Sequence, residues 1–462
     1  MMRKPDGWRT QRSFDAAQHV VQAGPMPGTA PLAPPAISPP KRTLREVWRS
    51  LVDVRSRLKA VTWSLSFIGI LGYLFAATTY RLPIGAASAI VALVGLIFIP
   101  QGIRFPASVG FFAAFLIWAV LGAAVSPWRS VSFDAVLELG KVGLIYLAIV
   151  NAVRSRAQIW FFMVFFLALY GSHPVRGAVV NYLTGNTYFG RAAWYQGIFT
   201  NPNDLGALTL LQLSMACALL MTERKGIVRL GAILAILLLP FTILVTQSRA
   251  VLLALGVFTV AAVWTHPKKV KILATLVLLC GLVVVVAPNG LWDRLKGLQY
   301  ATSTATLSEV DPEGSAAQRW AIWQTGMRVA REHPITGVGL GAYRYANGSI
   351  SEVLGNRDAH STYLTLLAEN GVVGVLLFLL LVGATIGKSA SVRRRIRYTL
   401  PAGAMQLRFL ELGLICFLIA GIWGSYSKLT FLYVHVALIW ALAATCEREV
   451  AEARAIVLRP GG

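Results

Sequence analysis

Long apolar runs are the feature that most constrains this chain. A continuous apolar run of about 20 residues spans the hydrocarbon core of a bilayer as a helix. Only helices and closed barrels satisfy all their backbone groups in lipid, and continuous rather than alternating hydrophobicity excludes the barrel. The runs predict an all-α polytopic membrane protein with about 12 transmembrane helices, at 61–80, 83–100, 106–125, 135–153, 157–173, 203–222, 226–247, 250–265, 269–288, 371–387, 407–425 and 429–446.

Composition agrees with a membrane protein. Of the 462 residues, 56% are hydrophobic and only 14% are charged, whereas soluble domains carry about 25% charged residues. Folding in water does not hide this much apolar surface, so the bilayer has to act as the solvent.

The positions of Lys and Arg predict the orientation. With the amino terminus in the cytoplasm, the cytoplasmic segments hold 29 of the 43 Lys and Arg residues, and every cytoplasmic connection is basic, as the positive-inside rule requires. Both termini are therefore expected in the cytoplasm. This cytoplasmic excess accounts for most of the net charge of +23 without a nucleic-acid partner. The sequence has no basic stripe interleaved with aromatic residues, the pattern that would indicate nucleic-acid binding.

The same pattern divides the chain into segments. The polar, basic and proline-rich start of the chain has a composition that cannot bury a core, and it predicts a disordered cytoplasmic tail. The predicted segments are this tail at 1–60, helices 1–9 at 61–288 with an external loop at 172–202, a large periplasmic loop at 289–360, helices 10–12 at 361–446, and a cytoplasmic tail at 447–462.

The large loop between helices 9 and 10 is too long to be a turn, and loops of this length usually carry function. Its segment from Ser315 to Arg331 is helix-like, with an apolar face that can rest on the membrane surface or on the helix bundle. A glycine-rich stretch, TGVGLGAYR, follows it and predicts a tight, closely packed turn.

His360 is the histidine best placed for chemistry. It stands at the external mouth of the tenth predicted span, within RDAHSTYLTLLAEN, where an aqueous loop meets the membrane. A neutral imidazole can accept a proton from a hydroxyl at ambient pH. An interfacial histidine without a chemical role is the alternative interpretation.

Three arginines are expected at the same external level. Arg249 lies between two closely spaced spans, Arg319 begins the loop helix, and Arg191 precedes the sixth span. Planar guanidinium groups bind diphosphate oxygens bidentately. The alternatives are an interface anchor, a helix-surface charge and a loop charge, respectively.

Several other chemistries leave no signature. There is no Walker loop, no HExxH, and no external acidic pair with the spacing of a metal-dependent sugar-nucleotide transferase. We therefore expect no metal site and no cofactor, and a donor already mounted on a membrane lipid.

Taken together, these residues resemble the O-antigen ligase and polysaccharide polymerase family of bacterial polysaccharide assembly. The family's most specific pattern has His, then Asn, Ser or Gln, nine residues, Gly, two residues, and Gly, Thr or Tyr. Here His360 and Ser361 are followed by TYLTLLAEN, Gly371 and, after two valines, Gly374. Further family elements resemble Ser248-Arg249, Arg319-Trp320, HPITGVGLG and GIFTNPND.

The resemblance implies an inverting, metal-independent glycosyltransferase with a membrane fold of the GT-C type, in the bacterial inner membrane. Its donor is a glycan on undecaprenyl diphosphate, and its site faces the periplasm. By this analogy Arg249 and Arg319 clasp the diphosphate and His360 acts as the base. Within the same motifs Arg191, Ser248 and Ser361 are candidate substrate-binding residues, whereas Glu369 is expected to pack.

Three functions fit this reading. A ligase places the glycan on an acceptor such as lipid A-core, and a polymerase of the same family adds one repeat unit to another. A transporter is the alternative from a different class, but the ionisable groups near mid-bilayer that transporters use are few here. Glu138 and Lys141, three residues apart on one helix, can neutralise each other.

Overall fold

The computed structural model describes residues 54–100, 102–187, 190–224, 226–264 and 315–457. Within these ranges the chain forms α-helices joined by short 3-10 and π segments, and no strand. The helices are α1 (Leu65–Thr79), α2 (Gly85–Ile97), α3 (Ala107–Val125), α4 (Arg129–Ala152), α5 (Arg156–Tyr170), α6 (Arg176–Leu183), α7 (Pro202–Thr222), α8 (Ile227–Thr246), α9 (Arg249–Trp264), α10 (Ser315–Glu332), α11 (Tyr343–Ile350), α12 (Thr362–Ile396), α13 (Pro401–Ala420) and α14 (Thr430–Val457).

These helices confirm an all-α polytopic membrane protein. In the described ranges, seven helical stretches are long and apolar enough to cross a bilayer, and α1, α2 and α9 are shorter apolar helices. Eleven of the twelve predicted runs coincide with described helices. The run at 269–288 and most of the tail at 1–60 lie outside the described residues, so the count of twelve stays a prediction.

The sequence predicts an external loop at 172–202, but the first third of this segment is helical. A π-helical segment, Gly171–Val175, joins α5 directly to α6 and contains Pro174. Proline has no N–H for the helical ladder, and the wider π turn accommodates it without ending the helix. The connection without helix therefore begins only after Leu183.

Burial within the protein separates central from peripheral helices. About 83% of the apolar window of α14 and 78% of that of α7 are buried, whereas the corresponding values for α8 and α3 are 22% and 33%. The helices α14 and α7 therefore form the centre of the bundle, and α3 and α8 expose most of their surface to the surrounding medium.

The two ends of the bundle differ in charge and in chain length. One end, which we call the basic end, carries 154–158, 223–224, 226–229 and 388–411, and is bound together by ion pairs such as Arg57–Glu223 at 2.6 Å and Lys388–Glu447 at 2.7 Å. The other, which we call the site end, carries 190–203, 246–249, 333–362 and 424–428. The longer described connections lie at the site end.

The helix α12 is broken near its start. Gly371 has φ 64° and ψ −172°, which separates a half-helix, 362–370, from the rest of α12. The glycine-rich loop after α10 fills the break, where Val338 N–H and Gly339 N–H donate to the carbonyls of Ala368 and Glu369, both at 2.9 Å. Val372 N–H donates to the Pro334 carbonyl at 2.9 Å. The loop thus satisfies backbone groups that the break leaves open.

Glycines make this docking possible. A Cβ on Gly337 would overlap the backbone of Glu369, and a Cβ on Gly371 would overlap the carbonyl group of Ile335. Both glycines also have positive φ, the left-handed region that side chains disfavour. The tight, closely packed turn expected from TGVGLG is therefore the loop that docks against the half-helix.

Candidate functional site

His360 lies at the site end, immediately before the half-helix of α12. Its φ is 48°, a left-handed conformation that is uncommon for a residue with a side chain. Contacts on both sides hold it. The Trp323 indole N–H donates to the Ala359 carbonyl at 2.8 Å, and Ser361 Oγ accepts the Leu364 N–H at 3.5 Å as the cap of α12. The backbone that carries the imidazole is therefore held on both sides of His360.

The surroundings of His360 favour its neutral form. Burial lowers the pKa of His360 from its ordinary value, and the positive charges of Arg319, Arg191 and Arg357 lower it further, while Asp358 opposes them. The imidazole is therefore within electrostatic reach of two of the predicted arginines. A neutral ring nitrogen accepts a proton, as a general base requires.

Arg319 is held by a small core separate from the main one. This core joins α10, α11 and the half-helix of α12 through Ile322, Val329, Val338, Ala342, Tyr343, Ala346, Ala359, Leu364 and Ala368. The Tyr343 hydroxyl donates to the Ile322 carbonyl at 2.7 Å. This core therefore packs α10, the helix that carries Arg319, against the half-helix that follows His360.

Arg191 binds the turn that leads to Arg249. Its Nε donates to the Thr246 carbonyl at 2.9 Å and one Nη donates to Asn203 Oδ1 at 2.6 Å. The adjacent Ala192 N–H donates to the Val245 carbonyl at 2.9 Å. Arg249 is the first residue of α9, three residues beyond Thr246. The backbone therefore brings the 191 and 249 positions together at the site end.

The two predicted serines are buried. Ser361 is 6% exposed and its hydroxyl is engaged as the helix cap, and Ser248 is 2% exposed. Their place in the motifs accounts for the local turns, and a substrate contact for either one stays a prediction.

Tyr426 is a site residue that the sequence reasoning missed. Its hydroxyl donates to the Asn203 carbonyl at 3.3 Å, and its N–H donates to Thr362 Oγ1 at 2.9 Å. Burial raises its pKa, as does the charge of Asp204, while Arg319 and Arg191 act in the opposite direction. Tyr426 therefore lies between the arginines and α12, although nothing in GSYSK signals it.

Glu369 is buried and ion-paired. It is 1% exposed, and Lys428 Nζ lies 3.2 Å from its Oε1. This geometry agrees with the expectation that Glu369 packs. The pair ties the half-helix of α12 to the segment that carries Tyr426.

Among the described residues, no group of three His, Cys, Asp or Glu side chains is arranged to hold a metal ion. The ionic groups that converge on His360 are instead guanidinium groups and one carboxylate. Guanidinium groups are suited to phosphate oxygens.

Fold and site together define a class: a polytopic helical membrane protein in which a largely buried histidine and several arginines lie at one end of the bundle. Residues 208–379 match the family model described as O-antigen ligase. This match supports the resemblance to the O-antigen ligase and polysaccharide polymerase family that the motifs indicated, and that family implies an activity of the ligase or polymerase type. The match includes Arg249, Arg319 and His360, whereas Arg191 precedes it. No curated protein matches the chain.

Proposed function

We propose that this protein is an O-antigen ligase. It transfers a glycan from undecaprenyl diphosphate to an acceptor hydroxyl, such as one on lipid A-core, at the periplasmic face of the bacterial inner membrane. The observation that carries the proposal is the convergence of His360 with Arg319 and Arg191 at one end of the bundle. A base next to fixed cations suits the displacement of a diphosphate from a sugar.

His360 takes the proton of the acceptor. The acceptor hydroxyl oxygen bonds to the anomeric carbon of the donor as the bond from that carbon to the diphosphate oxygen breaks. The proton passes to the His360 imidazole, and the bonding electron pair leaves with undecaprenyl diphosphate. In the proposed reaction a single displacement inverts the anomeric configuration on a GT-C-type fold, without a metal. Positioned bases of this kind contribute about 10²–10⁴-fold to a rate.

Arg249 and Arg319 bind the diphosphate, and Arg191 supports them. Negative charge grows on the leaving oxygen as the bond breaks, and preorganised cations stabilise it. Arg191 already uses Nε and one Nη on Thr246 and Asn203. Its role is therefore to add positive charge and to hold the turn that carries Arg249.

The distribution of charge supports a periplasmic site. The basic end is the end that the positive-inside rule assigns to the cytoplasm, and His360 lies at the opposite end. A lipid-linked donor in the outer leaflet would present its diphosphate at this level.

Substitution of the three proposed residues tests the reaction. Purified His360→Ala, Arg249→Ala and Arg319→Ala proteins should each lose transfer from a lipid diphosphate glycan by about 10²-fold or more. Arg249→Lys should recover little, because an ammonium group does not replace a bidentate fork. His333→Ala, an exposed histidine of the same loop, and Arg328→Ala, an exposed arginine on α10, are the matched controls. Full activity in two of the three alanine proteins would end the proposal.

Deletion separates a ligase from a polymerase. The polysaccharide of a strain that lacks the protein is resolved on a gel. Loss of all attachment, with polymer retained on the carrier, indicates a ligase. Loss of long chains, with a single repeat still attached to core, indicates a polymerase and contradicts the ligase assignment.

A further inference from the structure

A second binding region lies beside the candidate site. A groove of about 930 Å³ opens between α1, α2 and α4, at the upper part of the range of roughly 300–1,000 Å³ that is usual for ligand pockets. Its walls are largely apolar. They include the small residues Ala76, Ala86 and Ala89 and the larger residues Leu93 and Leu139. Such a surface accepts a hydrocarbon chain.

Positive charge marks the site end of the groove. Arg81 and Lys428 both line it there. Arg81 is exposed, and it forms no ion pair with any other described residue. Glu138 also lines the groove, but Lys141 neutralises it at 2.6 Å. Glu369 likewise pairs with Lys428 at 3.2 Å, so the net positive charge at this end comes from Arg81. An apolar channel with cations at one end is complementary to an anionic lipid whose head lies at the site end.

The groove and the candidate site share structural elements. Ile198 lines the groove, and its N–H donates to the Tyr80 hydroxyl at 3.1 Å. The same loop reaches Asn203, which binds Arg191 on its other side. Lys428 also binds Glu369, nine residues after His360. A lipid head at Arg81 and Lys428 would therefore lie next to the half-helix that begins beside the base.

We infer that this groove binds the lipid chain of the acceptor, with a phosphate of the acceptor at Arg81, beside the Lys428–Glu369 ion pair. The inference rests on the proposed function, which assigns the donor diphosphate to Arg249 and Arg319. A transferase that joins two membrane-anchored substrates needs a lipid site for each. Ile198 lines the groove and Asn203, at the start of α7, binds Arg191, so the short segment between them borders both the groove and the candidate site.

Photo-crosslinking tests lipid binding without any glycan. The full-length protein is placed in phosphatidylcholine nanodiscs that contain a diazirine-bearing phosphatidic acid, or the same chain with a phosphocholine head. The phosphatidic acid probe should label α1, α2 and α4 several-fold more than the phosphocholine probe. Arg81→Gln should remove that preference, and Ala86→Trp should block labelling by filling the groove. Arg344→Gln, an exposed arginine elsewhere in the external region, should label as the wild type does.

Two labelling results would overturn the groove as a specific site: equal labelling by both heads, or labelling that neither Arg81→Gln nor Ala86→Trp reduces. Neither variant touches the proposed catalytic residues. Lys428→Gln is avoided as the first variant because it would leave the buried Glu369 without its partner.

Transfer kinetics test the assignment to the acceptor. Ala86→Trp should raise KM for the lipid acceptor several-fold and leave KM for the donor unchanged. A raised donor KM, or unchanged kinetics despite lost labelling, would overturn the acceptor assignment. If the wild type transfers no glycan while labelling behaves as expected, the proposed function fails and the lipid groove stands.

Discussion

His360 combines a fixed backbone with a pKa held below its ordinary value. Its left-handed φ has an energetic cost on the order of 1–3 kcal/mol, which the contacts of Ala359 and Ser361 offset. Burial lowers the pKa of the imidazole most, and the neighbouring arginines lower it further. The same cations can therefore serve two purposes, to bind an anion and to keep the base unprotonated.

The pH dependence of transfer should reveal this electrostatic control. Because the base is active when neutral, the rate should fall only as the pH drops below the usual pKa of imidazole, about 6.5. Asp358→Asn removes a charge that raises the pKa of His360, so the acid limb should move to lower pH. Arg357→Gln removes a charge that lowers this pKa, so the limb should move to higher pH. Rate–pH profiles measure both shifts.

Arg344→Gln serves as the control for these profiles, because Arg344 does not contribute to the pKa of His360. Shifts of the same sign in Asp358→Asn and Arg357→Gln would contradict a role of His360 as the titrating base.

Tyr426→Phe should weaken the support of Arg191. It removes the hydrogen bond to the Asn203 carbonyl, worth about 0.5–1.5 kcal/mol, so kcat/KM should fall by about 2–10-fold, mainly through KM for the donor. Steady-state kinetics measure the two constants separately. Tyr170→Phe removes a similar bond to the carbonyl of Leu205, two residues further along α7. An equal loss in this control would mean that Tyr426 only stabilises the bundle.

Sequence reasoning reached His360 and the arginines because each lies in a motif or at a span boundary. Position along the chain placed them at a shared external level, and the family resemblance predicted their convergence around a diphosphate. Tyr426 escaped because its role depends on which loops meet, and a tyrosine in GSYSK resembles any interfacial tyrosine. Asn203 lies in the GIFTNPND element, but its bond to Arg191 was not predicted.

At the scale of elements, the half-helix 362–370 is the unit that holds the base. Hydropathy predicts a span from 371, because TYLTLLAEN is less apolar than the run that follows. The structure begins the helix nine residues earlier, since these residues are covered by α10 and the glycine-rich loop rather than by lipid. A hydropathy scale measures transfer from water into a membrane, so it does not detect a helix whose polar residues are covered by the protein itself.

Gly371→Ala should separate the half-helix from the loop. Alanine at a positive φ costs about 1–2 kcal/mol, and its Cβ would also overlap the Ile335 carbonyl group. The variant should unfold at a lower temperature in detergent and lose transfer. Gly383→Ala on the same helix is the matched control, because a Cβ there meets no atom of the described residues and alanine favours a helix. Equal unfolding temperatures for the two variants would show that the docked loop does not hold the half-helix.

At the scale of the whole molecule, the two ends of the bundle perform different tasks. The basic end is held by ion pairs, and the site end is built from longer connections and the half-helix. Apolar runs and charge distribution predicted the helices and their ends well. They did not predict that α7 and α14 are central, because a helix surface that faces lipid and one that faces protein are similarly apolar.

Cysteine labelling should establish which end faces the periplasm. In a variant without its natural cysteines, Glu352→Cys at the site end and Tyr398→Cys beyond the basic end of α12 are both exposed positions. An impermeant maleimide applied to spheroplasts should label position 352 and spare position 398 until the membrane is opened. The reverse pattern would move the candidate site to the cytoplasm and exclude a periplasmic transferase.

The close backbone contacts of Gly337 and Gly371 have a consequence for how this sequence can vary. Each glycine faces main-chain atoms of the other's segment rather than a side chain, so trimming a neighbour creates no room for a larger residue at either position. A second substitution cannot compensate, because every residue carries the same main-chain carbonyl group. Sequence drift in this region should therefore accumulate around the pair, in apolar residues such as Val338 or Ala368, while the two glycines persist or are lost together with the whole loop.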